Sequence, residues 1–297
     1  MSTLTIAVFS FNRGYYLRNC IESIRQLAPE ISVLVIDDAS DDVLTRDVLN
    51  SLPETVFHVS TTDKARHGGL YTNMNLALAE AKTDFIMFVQ DDMQMVRPIN
   101  DLDIALISNL FEENSAIAFI CPLFMKASSL YRYRRALSPH PTLRAYQAKV
   151  KGRNTISYFD ANIGHVKRLR MANWSFGPTE KAMMQAAGAQ FGAMPFMGDP
   201  ILFFCPEVPI YRNRGRSLAS KIASRVVGDD VKSLEYLSKE SNENFISRSL
   251  SDWPVAEQWL VPQNSAVRRP FVYKNVNARL WLRVLYRMER LLQKLSR

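Results

Sequence analysis

The chain has 297 residues, 47% of them hydrophobic, which is enough for one large α/β domain with a buried core, alone or with an appendage. A formal net charge of +8 predicts an anionic partner such as a phosphorylated substrate, nucleic acid or an acidic lipid surface. No secretory leader precedes the first strand pattern, and no run approaches the ~18 apolar residues of a membrane span. The three cysteines are widely spaced and lack metal-ligand spacing, which indicates buried thiols in a reducing, cytoplasmic compartment.

Strand and helix patterns alternate at the start of the chain. Residues 4–9 and residues 31–36 are apolar runs that predict two buried strands. Between them, apolar residues recur at helical spacing: Leu17, Cys20, Ile21, Ile24 and Leu27. This spacing predicts a helix packed on a sheet. The unit is therefore βαβ, with two parallel strands joined by a right-handed crossover.

Carboxylates follow two of the predicted strands directly. The apolar residues 85–89 predict a strand covered on both faces, and Gln90, Asp91 and Asp92 stand where it ends. Asp37 and Asp38 end the second strand in the same way. Parallel strands end at the same edge of a sheet, so both pairs are expected at the edge where α/β proteins bind ligands. Such carboxylates suit a divalent cation shared with substrate phosphates; a solvated turn is the alternative interpretation.

The glycine-rich phosphate motifs of common nucleotide-binding folds are missing from the sequence. The turn after the first strand, residues 10–14, lacks Gly-x-Gly-x-x-Gly, and no Gly-x-x-x-x-Gly-Lys-Ser/Thr occurs. A common dehydrogenase or P-loop enzyme is therefore not expected.

Several stretches, in this order, resemble family 2 glycosyltransferases of the GT-A fold. They are residues 5–13, 35–41, 68–78 and 88–92, and the resemblance extends over roughly residues 4 to 97. It implies an α/β fold of GT-A type, with a mostly parallel central sheet and flanking helices. It also implies inverting transfer of a sugar from a nucleotide-diphosphate sugar to an acceptor hydroxyl, with Mg²⁺ or Mn²⁺ as cofactor. Synthesis of a polysaccharide or glycolipid is the process that the resemblance favours.

The resemblance implies a role for individual residues. Asp38 contacts the nucleotide base, Asp91 lies on the ribose or sugar side, and Asp92 binds the metal. Gln90 stands where the family has the first carboxylate of its Asp-x-Asp motif, so the metal loses one charged partner. The other donor-side candidates are Phe9, Asn12, Arg13, Arg66, Gly69, Asn73, Arg212 and Arg214.

The acceptor side is expected later in the chain. Gly198-Asp199 resembles the family's Gly-Glu-Asp motif in reduced form and implies that Asp199 is the catalytic base. A base is needed because a sugar hydroxyl has too high a pKa to attack unaided at neutral pH. Trp174, in the segment 173–181, is the candidate for acceptor binding. A simple turn at Asp199, and a flexible surface loop around Arg212 and Arg214, are the alternatives.

Residues 114–179 contain eleven basic residues, interleaved with aromatics, and a single acid, Asp160. This composition favours a groove for a carbohydrate or lipid-linked acceptor, or contact with a membrane surface. An ordinary solvated basic surface is equally compatible with it. Nucleic acid ranks last, since no nucleic-acid-binding motif accompanies the stretch.

Two parts of the chain are predicted to differ in role. Residues 1–217 form the GT-A catalytic domain, in which 1–100 bind the nucleotide sugar and 101–217 the acceptor. Residues 218–297 form a helical C-terminal extension. From Ala278 onward, apolar residues and arginines follow helical spacing on separate faces. This pattern is typical of a helix that lies on an anionic membrane, and we expect the inner face of the membrane here. Packing against the protein, or against a partner helix in a homo-oligomer, is the alternative.

Two other classes of function remain open at the level of sequence. A nucleotidyltransferase uses a similar sheet and metal, although the chain lacks a glycine-rich arginine-lysine loop after its first strand. A non-catalytic basic protein bound to membrane or nucleic acid would explain the charge but not the ordered acidic motifs.

Overall fold

The computed structural model describes residues 3–58, 69–149, 155–210 and 217–295. In chain order, the strands are β1 (Leu4–Ser10), β2 (Ser32–Asp37), β3 (Thr55–His58), β4 (Phe85–Gln90), β5 (Met93–Met95), β6 (Phe119–Ile120), β7 (Leu137–Pro139), β8 (Ala145–Ala148), β9 (Asn162–His165), β10 (Phe196–Met197) and β11 (Leu202–Phe204). The helices are α1 (Gly14–Leu27), α2 (Val43–Asn50), α3 (Leu70–Glu80), α4 (Asp101–Glu113), α5 (Leu130–Ala136), α6 (Val166–Met171), α7 (Glu180–Gln190), α8 (Leu218–Val227), α9 (Lys239–Ser247), α10 (Ala256–Trp259) and α11 (Leu280–Leu295). Short 3-10 turns lie at Ala127–Ser129 and Asn275–Asn277.

The largest sheet has six strands in the order β3-β2-β1-β4-β9-β6. β1 pairs in parallel with both β2 and β4, and β2 pairs in parallel with β3. β9 is antiparallel to its neighbours β4 and β6, so five of the six strands run in one direction. The α/β fold of GT-A type with a mostly parallel central sheet is confirmed.

Both faces of this sheet are covered, which explains the continuous apolar runs of its central strands. All seven residues of β1 are buried, and successive side chains point to opposite faces. Ile6 and Val8 pack in a cluster with residues of α1 and α4, whereas Ala7 and Phe9 pack in a second cluster with residues of α3. The sheet is therefore the middle layer of a three-layer core.

The C-terminal segment packs against this core. Phe245 of α9 and Leu260, just after α10, share a cluster with Val96 and Phe203, and the ring of Trp253 stacks on Tyr146 with centroids 4.5 Å apart. α11 packs on α8. Among the described helices, none combines the length and hydropathy needed to cross a bilayer. The division of the chain at residue 217 stays a prediction.

Candidate active site

The two acidic pairs meet at the carboxyl edge of the central sheet, on either side of the end of β1. The register pairs Ser10 with Asp37 on one side and Phe9 with Gln90 on the other. The backbone N–H of Asp38 donates to the carbonyl of Ser10, and that of Asp91 donates to the carbonyl of Phe9, each at 2.9 Å. The expected convergence of acids from β2 and β4 is therefore a property of the strand register.

Asp91 and Asp92 share one counter-ion, the guanidinium of Arg13. Nη1 of Arg13 donates to Oδ1 of Asp91 at 3.0 Å and also donates to Oδ2 of Asp92. The hydroxyl of Tyr273 donates to the same Asp92 oxygen at 2.6 Å. Burial raises the pKa of Asp91 to about 7, with the positive charge of Arg13 acting in the opposite direction. Tyr273 was not foreseen from sequence because it lies 181 residues beyond Asp92.

The turns after β1 and β2 are tied to each other. Asn12 adopts a left-handed conformation, φ +50°, and its Nδ2 donates to Oδ1 of Asp41 at 2.6 Å. In return the N–H of Asp41 donates to Oδ1 of Asn12 at 2.9 Å. Asp38 accepts the N–H of Gly69 at 2.7 Å. These contacts fix the loops that frame the sheet edge.

The remaining donor-side candidates fall into two groups. Phe9 and Asn73 are almost fully buried, 6% and 1% exposed, and Oδ1 of Asn73 has no hydrogen-bond partner among the described residues. Arg66, Arg212 and Arg214 lie outside the described residues. The roles of all five in donor binding stay predictions.

A cavity of about 440 Å³ opens from the carboxyl end of β4. Gln90 and Asp92 line it on the β4 side, and Lys126, Asp160 and Glu180 are among its other lining residues. Pockets of a few hundred cubic ångströms are typical of small-molecule sites. The cavity therefore brings carboxylates from the acceptor half of the chain into the same space as the proposed metal-binding residue.

Asp160 has the most unusual surroundings of these carboxylates. Its Oδ2 accepts a hydrogen bond from the hydroxyl of Tyr71 at 3.2 Å, whereas its buried Oδ1 has no partner among the described residues. Burial, reinforced by the negative charge of Glu180 and opposed by hydrogen bonds from Tyr71 and Tyr158, raises the pKa of Asp160 to about 7. A carboxyl group with this pKa exchanges protons readily at neutral pH.

Glu180 is the first residue of α7, directly after Thr179, whose side chain caps the helix by accepting the N–H of Ala182. The N-terminus of a helix favours an ionised carboxylate. Glu180 is exposed, so its carboxylate is open to a molecule in the cavity. Asp160 and Glu180 thus place two carboxyl groups beside any molecule bound in the cavity.

Neither Asp160 nor Glu180 is among the site residues predicted from sequence, although the sequence carries a signal for both. Asp160 is the single acid in residues 114–179, where eleven basic residues would otherwise set the charge. Glu180 follows Thr179, a residue type that commonly caps the start of a helix. A lone acid inside a basic, aromatic stretch is therefore a feature that could have identified this wall of the cavity.

Asp199, the residue expected to be the base, has different surroundings. It is 6% exposed, and Arg144 clamps its carboxylate with two hydrogen bonds, Nε to Oδ2 at 2.6 Å and Nη2 to Oδ1 at 2.7 Å. Nη1 of Arg248 donates to Oδ1 as well, at 2.6 Å. Asp199 is not among the described residues that line the Asp92 cavity. Its catalytic role stays a prediction, while its contacts are those of a structural ion pair.

Trp174, the acceptor-binding candidate, lies in an aromatic cluster of the core. It is 8% exposed, and its ring meets Phe119 and Phe176 edge-on, with centroids 5.5 Å and 6.0 Å away. A sugar that stacked on an indole would need one open ring face. The contacts describe a packing role, and acceptor binding by Trp174 stays a prediction.

The residues at the end of β4 fit a metal ion that a substrate completes. Asp92 offers one carboxylate and Gln90 an amide oxygen, and Mg²⁺ commonly binds one or two carboxylates together with substrate phosphates. They do not form a complete protein site: in the described ranges no group of three or more His, Cys, Asp or Glu side chains could hold a metal. A nucleotide diphosphate would have to supply the remaining ligands.

One comparison with known proteins identifies a family for this chain. The model of the family described as Glycosyl transferase family 2 matches residues 5–168, more than half of the chain. A search of curated proteins finds no match.

Among solved structures, S. aureus TarS 1-349 superposes with a TM-score of 0.47 at 17% identity, covering 82% of this chain and 69% of that one. The mannosyltransferase PcManGT from Pyrobaculum calidifontis, solved in complex with GDP-Man and Mn2+, gives a TM-score of 0.45 at 16% identity. That match covers 67% of this chain and 55% of PcManGT, so the chain spans about half the length of that relative. The family match over residues 5–168 is decisive: the chain belongs to glycosyl transferase family 2 and is a glycosyltransferase.

Proposed function

We propose that this protein transfers a sugar from a nucleotide-diphosphate sugar to the hydroxyl of a carbohydrate or lipid-linked acceptor, with inversion at the anomeric carbon. The observation that carries the proposal is the cavity in which Asp92, at the end of β4, faces the same space as Asp160 and Glu180. One wall carries the groups suited to a metal diphosphate, and another carries the groups suited to proton removal. Polysaccharide or glycolipid synthesis is the process that uses this reaction.

Donor binding is assigned to the sheet edge. Asp38 reads the nucleotide base, Asp91 lies on the ribose or sugar side, and Arg13 supplies a positive charge beside them. Arg13 is held by both Asp91 and Asp92, so its charge is fixed in position before the donor binds. A preorganised charge of this kind stabilises negative charge that grows on the leaving diphosphate.

Asp92 and Gln90 are the residues that would hold Mg²⁺ or Mn²⁺ together with the diphosphate. When bound, the metal supplies a Lewis acid that neutralises the leaving group. Asp92 already accepts hydrogen bonds from Arg13 and Tyr273. Because this carboxylate is already engaged, we expect metal and nucleotide to bind together rather than the metal alone.

Proton removal is assigned to Glu180. The acceptor oxygen attacks the anomeric carbon as the carbon–oxygen bond to the diphosphate breaks, and the hydroxyl proton passes to the Glu180 carboxylate. Glu180 is exposed at the start of α7 and lines the cavity, so its carboxylate is open to a bound hydroxyl. Asp160, whose Oδ1 has no hydrogen-bond partner among the described residues, positions the acceptor hydroxyl beside it.

The test is incubation of the purified protein with a panel of nucleotide sugars, with and without Mn²⁺. Release of free nucleoside diphosphate from one donor, and an inverted anomeric configuration in the product by NMR, are the expected results. Release of pyrophosphate would instead assign a nucleotidyltransferase. Absence of nucleotide binding across the whole panel would leave a non-catalytic protein and overturn the proposal.

A further inference from the structure

Helix α11 (Leu280–Leu295) presents three different faces. One face packs on the protein: Leu282 and Tyr286 are 0% and 7% exposed and share a cluster with Ala219 and Ala223 of α8. Glu289, the only acid of the helix, also points this way, since its carboxylate accepts the N–H groups of Leu218 and Ala219, each at 3.1 Å. The helix is therefore anchored to the protein through this face.

A second face of α11 is apolar and exposed. Six large hydrophobic side chains on it are between 48% and 66% exposed: Leu280, Trp281, Val284, Met288, Leu291 and Leu292. At 100° per residue they fall within an arc of about 120°. A contiguous exposed apolar face of this kind marks an interaction surface, unlike apolar residues scattered singly.

A third face carries positive charge along one side of the apolar arc. Arg283, Arg287 and Arg290 are exposed and follow one another at spacings of four and three residues, which places them in one row. At the start of the helix, Arg268, Arg269 and Arg279 line a cavity of about 400 Å³ together with Leu280 and Trp281. Arginines thus border the apolar arc both along its length and at its beginning.

We propose that α11 docks this protein on an anionic lipid surface. The apolar arc enters the boundary between head groups and acyl chains, and the arginine row contacts lipid phosphates. The arginine row beside the apolar arc favours this partner, because lipid phosphates complement its positive charge. An antiparallel pair of α11 helices would place both arginine rows on the same side of the contact, where like charges repel.

Docking through α11 is separate from sugar transfer, since none of the six exposed apolar residues lines the Asp92 cavity. The experiment uses the full chain in co-sedimentation with vesicles of phosphatidylcholine alone and of phosphatidylcholine mixed with phosphatidylglycerol. Wild type should sediment with the anionic vesicles, and raised salt should release it. Equal binding to both kinds of vesicle, or none to either, would overturn the proposal.

Two sets of variants sharpen this measurement. Val284→Glu with Met288→Glu should lower vesicle affinity at least about tenfold, because it puts charge into the apolar arc. Arg283→Gln and Arg287→Gln should each lower affinity about fivefold. Met171→Glu is the matched control, since Met171 is 73% exposed elsewhere on the protein and should leave affinity unchanged.

Nucleotide binding, measured on every variant, should match wild type and shows that each is folded. It also separates the two proposals, because loss of vesicle binding with retained nucleotide binding concerns α11 alone. An equal loss in Met171→Glu would contradict docking through α11. A wild-type dimer in sedimentation velocity that the Met288→Glu variant dissociates would also contradict the proposal, because α11 would then contact a second copy.

Discussion

Two aspartates in the acceptor half of this chain have opposite surroundings. Asp199 accepts three hydrogen bonds from Arg144 and Arg248, so its negative charge is fully compensated. Asp160 accepts a hydrogen bond from Tyr71, has a negatively charged neighbour in Glu180, and keeps one oxygen without a partner among the described residues.

The contrast separates a carboxylate that stabilises the fold from one suited to chemistry. A carboxylate held by two arginines has both oxygens engaged and none available to a ligand. A carboxylate that lacks such partners in a cavity has a pKa near neutrality and an oxygen available to a ligand. The two arginine partners of Asp199 are therefore what distinguishes it from Asp160.

The largest effect is expected at Asp199, the carboxylate that Arg144 and Arg248 hold. Asp199→Asn leaves two arginines without their counter-ion and should lower the free energy of unfolding by about 3 kcal/mol, as when one partner of a buried ion pair is removed. Urea denaturation measures the change. Glu54→Gln, which breaks the surface pair with Arg25, is the control and should cost less than about 1 kcal/mol.

Activity of the same variant distinguishes the two assignments of the base. Under conditions where Asp199→Asn is folded, kcat should stay within a few-fold of wild type. Full loss of transfer in a folded Asp199→Asn protein would return the role of base to Asp199.

The next largest effect is expected at Glu180, which lines the cavity together with Asp160. Glu180→Gln should lower kcat by about 100-fold, which corresponds to about 2.7 kcal/mol, because the acceptor proton loses its acceptor. Nucleotide affinity should not change, since the donor binds at the other wall. Glu80→Gln, an exposed carboxylate at the end of α3, is the control. Equal kcat values for wild type and Glu180→Gln would remove Glu180 from the mechanism.

Asp160 should also make the free energy of unfolding depend on pH. Because the folded protein raises the pKa of Asp160 to about 7, it holds a proton that the unfolded chain has already lost above about pH 4. Stability should therefore fall as pH rises from about 5 to 8, by about 2 kcal/mol from this group. Asp160→Asn should remove that part of the fall.

The pKa of Asp91 is raised in the same direction in wild type and in Asp160→Asn. The difference between their stability profiles therefore reports on Asp160 alone. Urea midpoints at about pH 5 and pH 8 give the measurement. Parallel pH profiles for wild type and Asp160→Asn would show that Asp160 is ionised throughout this range.

Asp92 lies between the two extremes, because it is paired with Arg13 and yet lines the cavity. Asp92→Asn should lower nucleoside diphosphate affinity by about tenfold in the presence of Mn²⁺ and little in its absence, since it removes a metal ligand. Asp38→Asn is the matched variant and should weaken binding by a similar factor with and without Mn²⁺. Titration calorimetry under both conditions distinguishes them; an identical pattern for the two variants would contradict the assignment of Asp92 to the metal.

The donor edge was predictable from sequence because its information is local. Each acidic pair directly follows an apolar run, and the parallel register of β2 and β4 on β1 then brings the pairs together. The same reasoning predicted the mostly parallel sheet and its flanking helices.

The acceptor wall was not predictable in this way, because its chemistry depends on contacts across long sequence distances. Nothing near Asp199 indicates that Arg144 and Arg248, 55 and 49 residues away, close on its carboxylate. Asp160 follows no regular apolar strand, and its role depends on Tyr71, 89 residues upstream. A short Gly-Asp motif therefore drew attention to a carboxylate whose partners the sequence does not reveal.

The hydrogen bond from the Tyr273 hydroxyl to Asp92 has a consequence for how the protein can be divided. Tyr273 lies within the predicted C-terminal extension, seven residues before α11 begins. A shortened protein that ended at residue 217 would keep the whole central sheet but lose the phenol that holds Asp92, the carboxylate proposed to bind the metal. The segment that carries α11 thus also completes the carboxyl edge of the sheet, so we expect a cut at residue 217 to change both the proposed donor site and the proposed lipid docking.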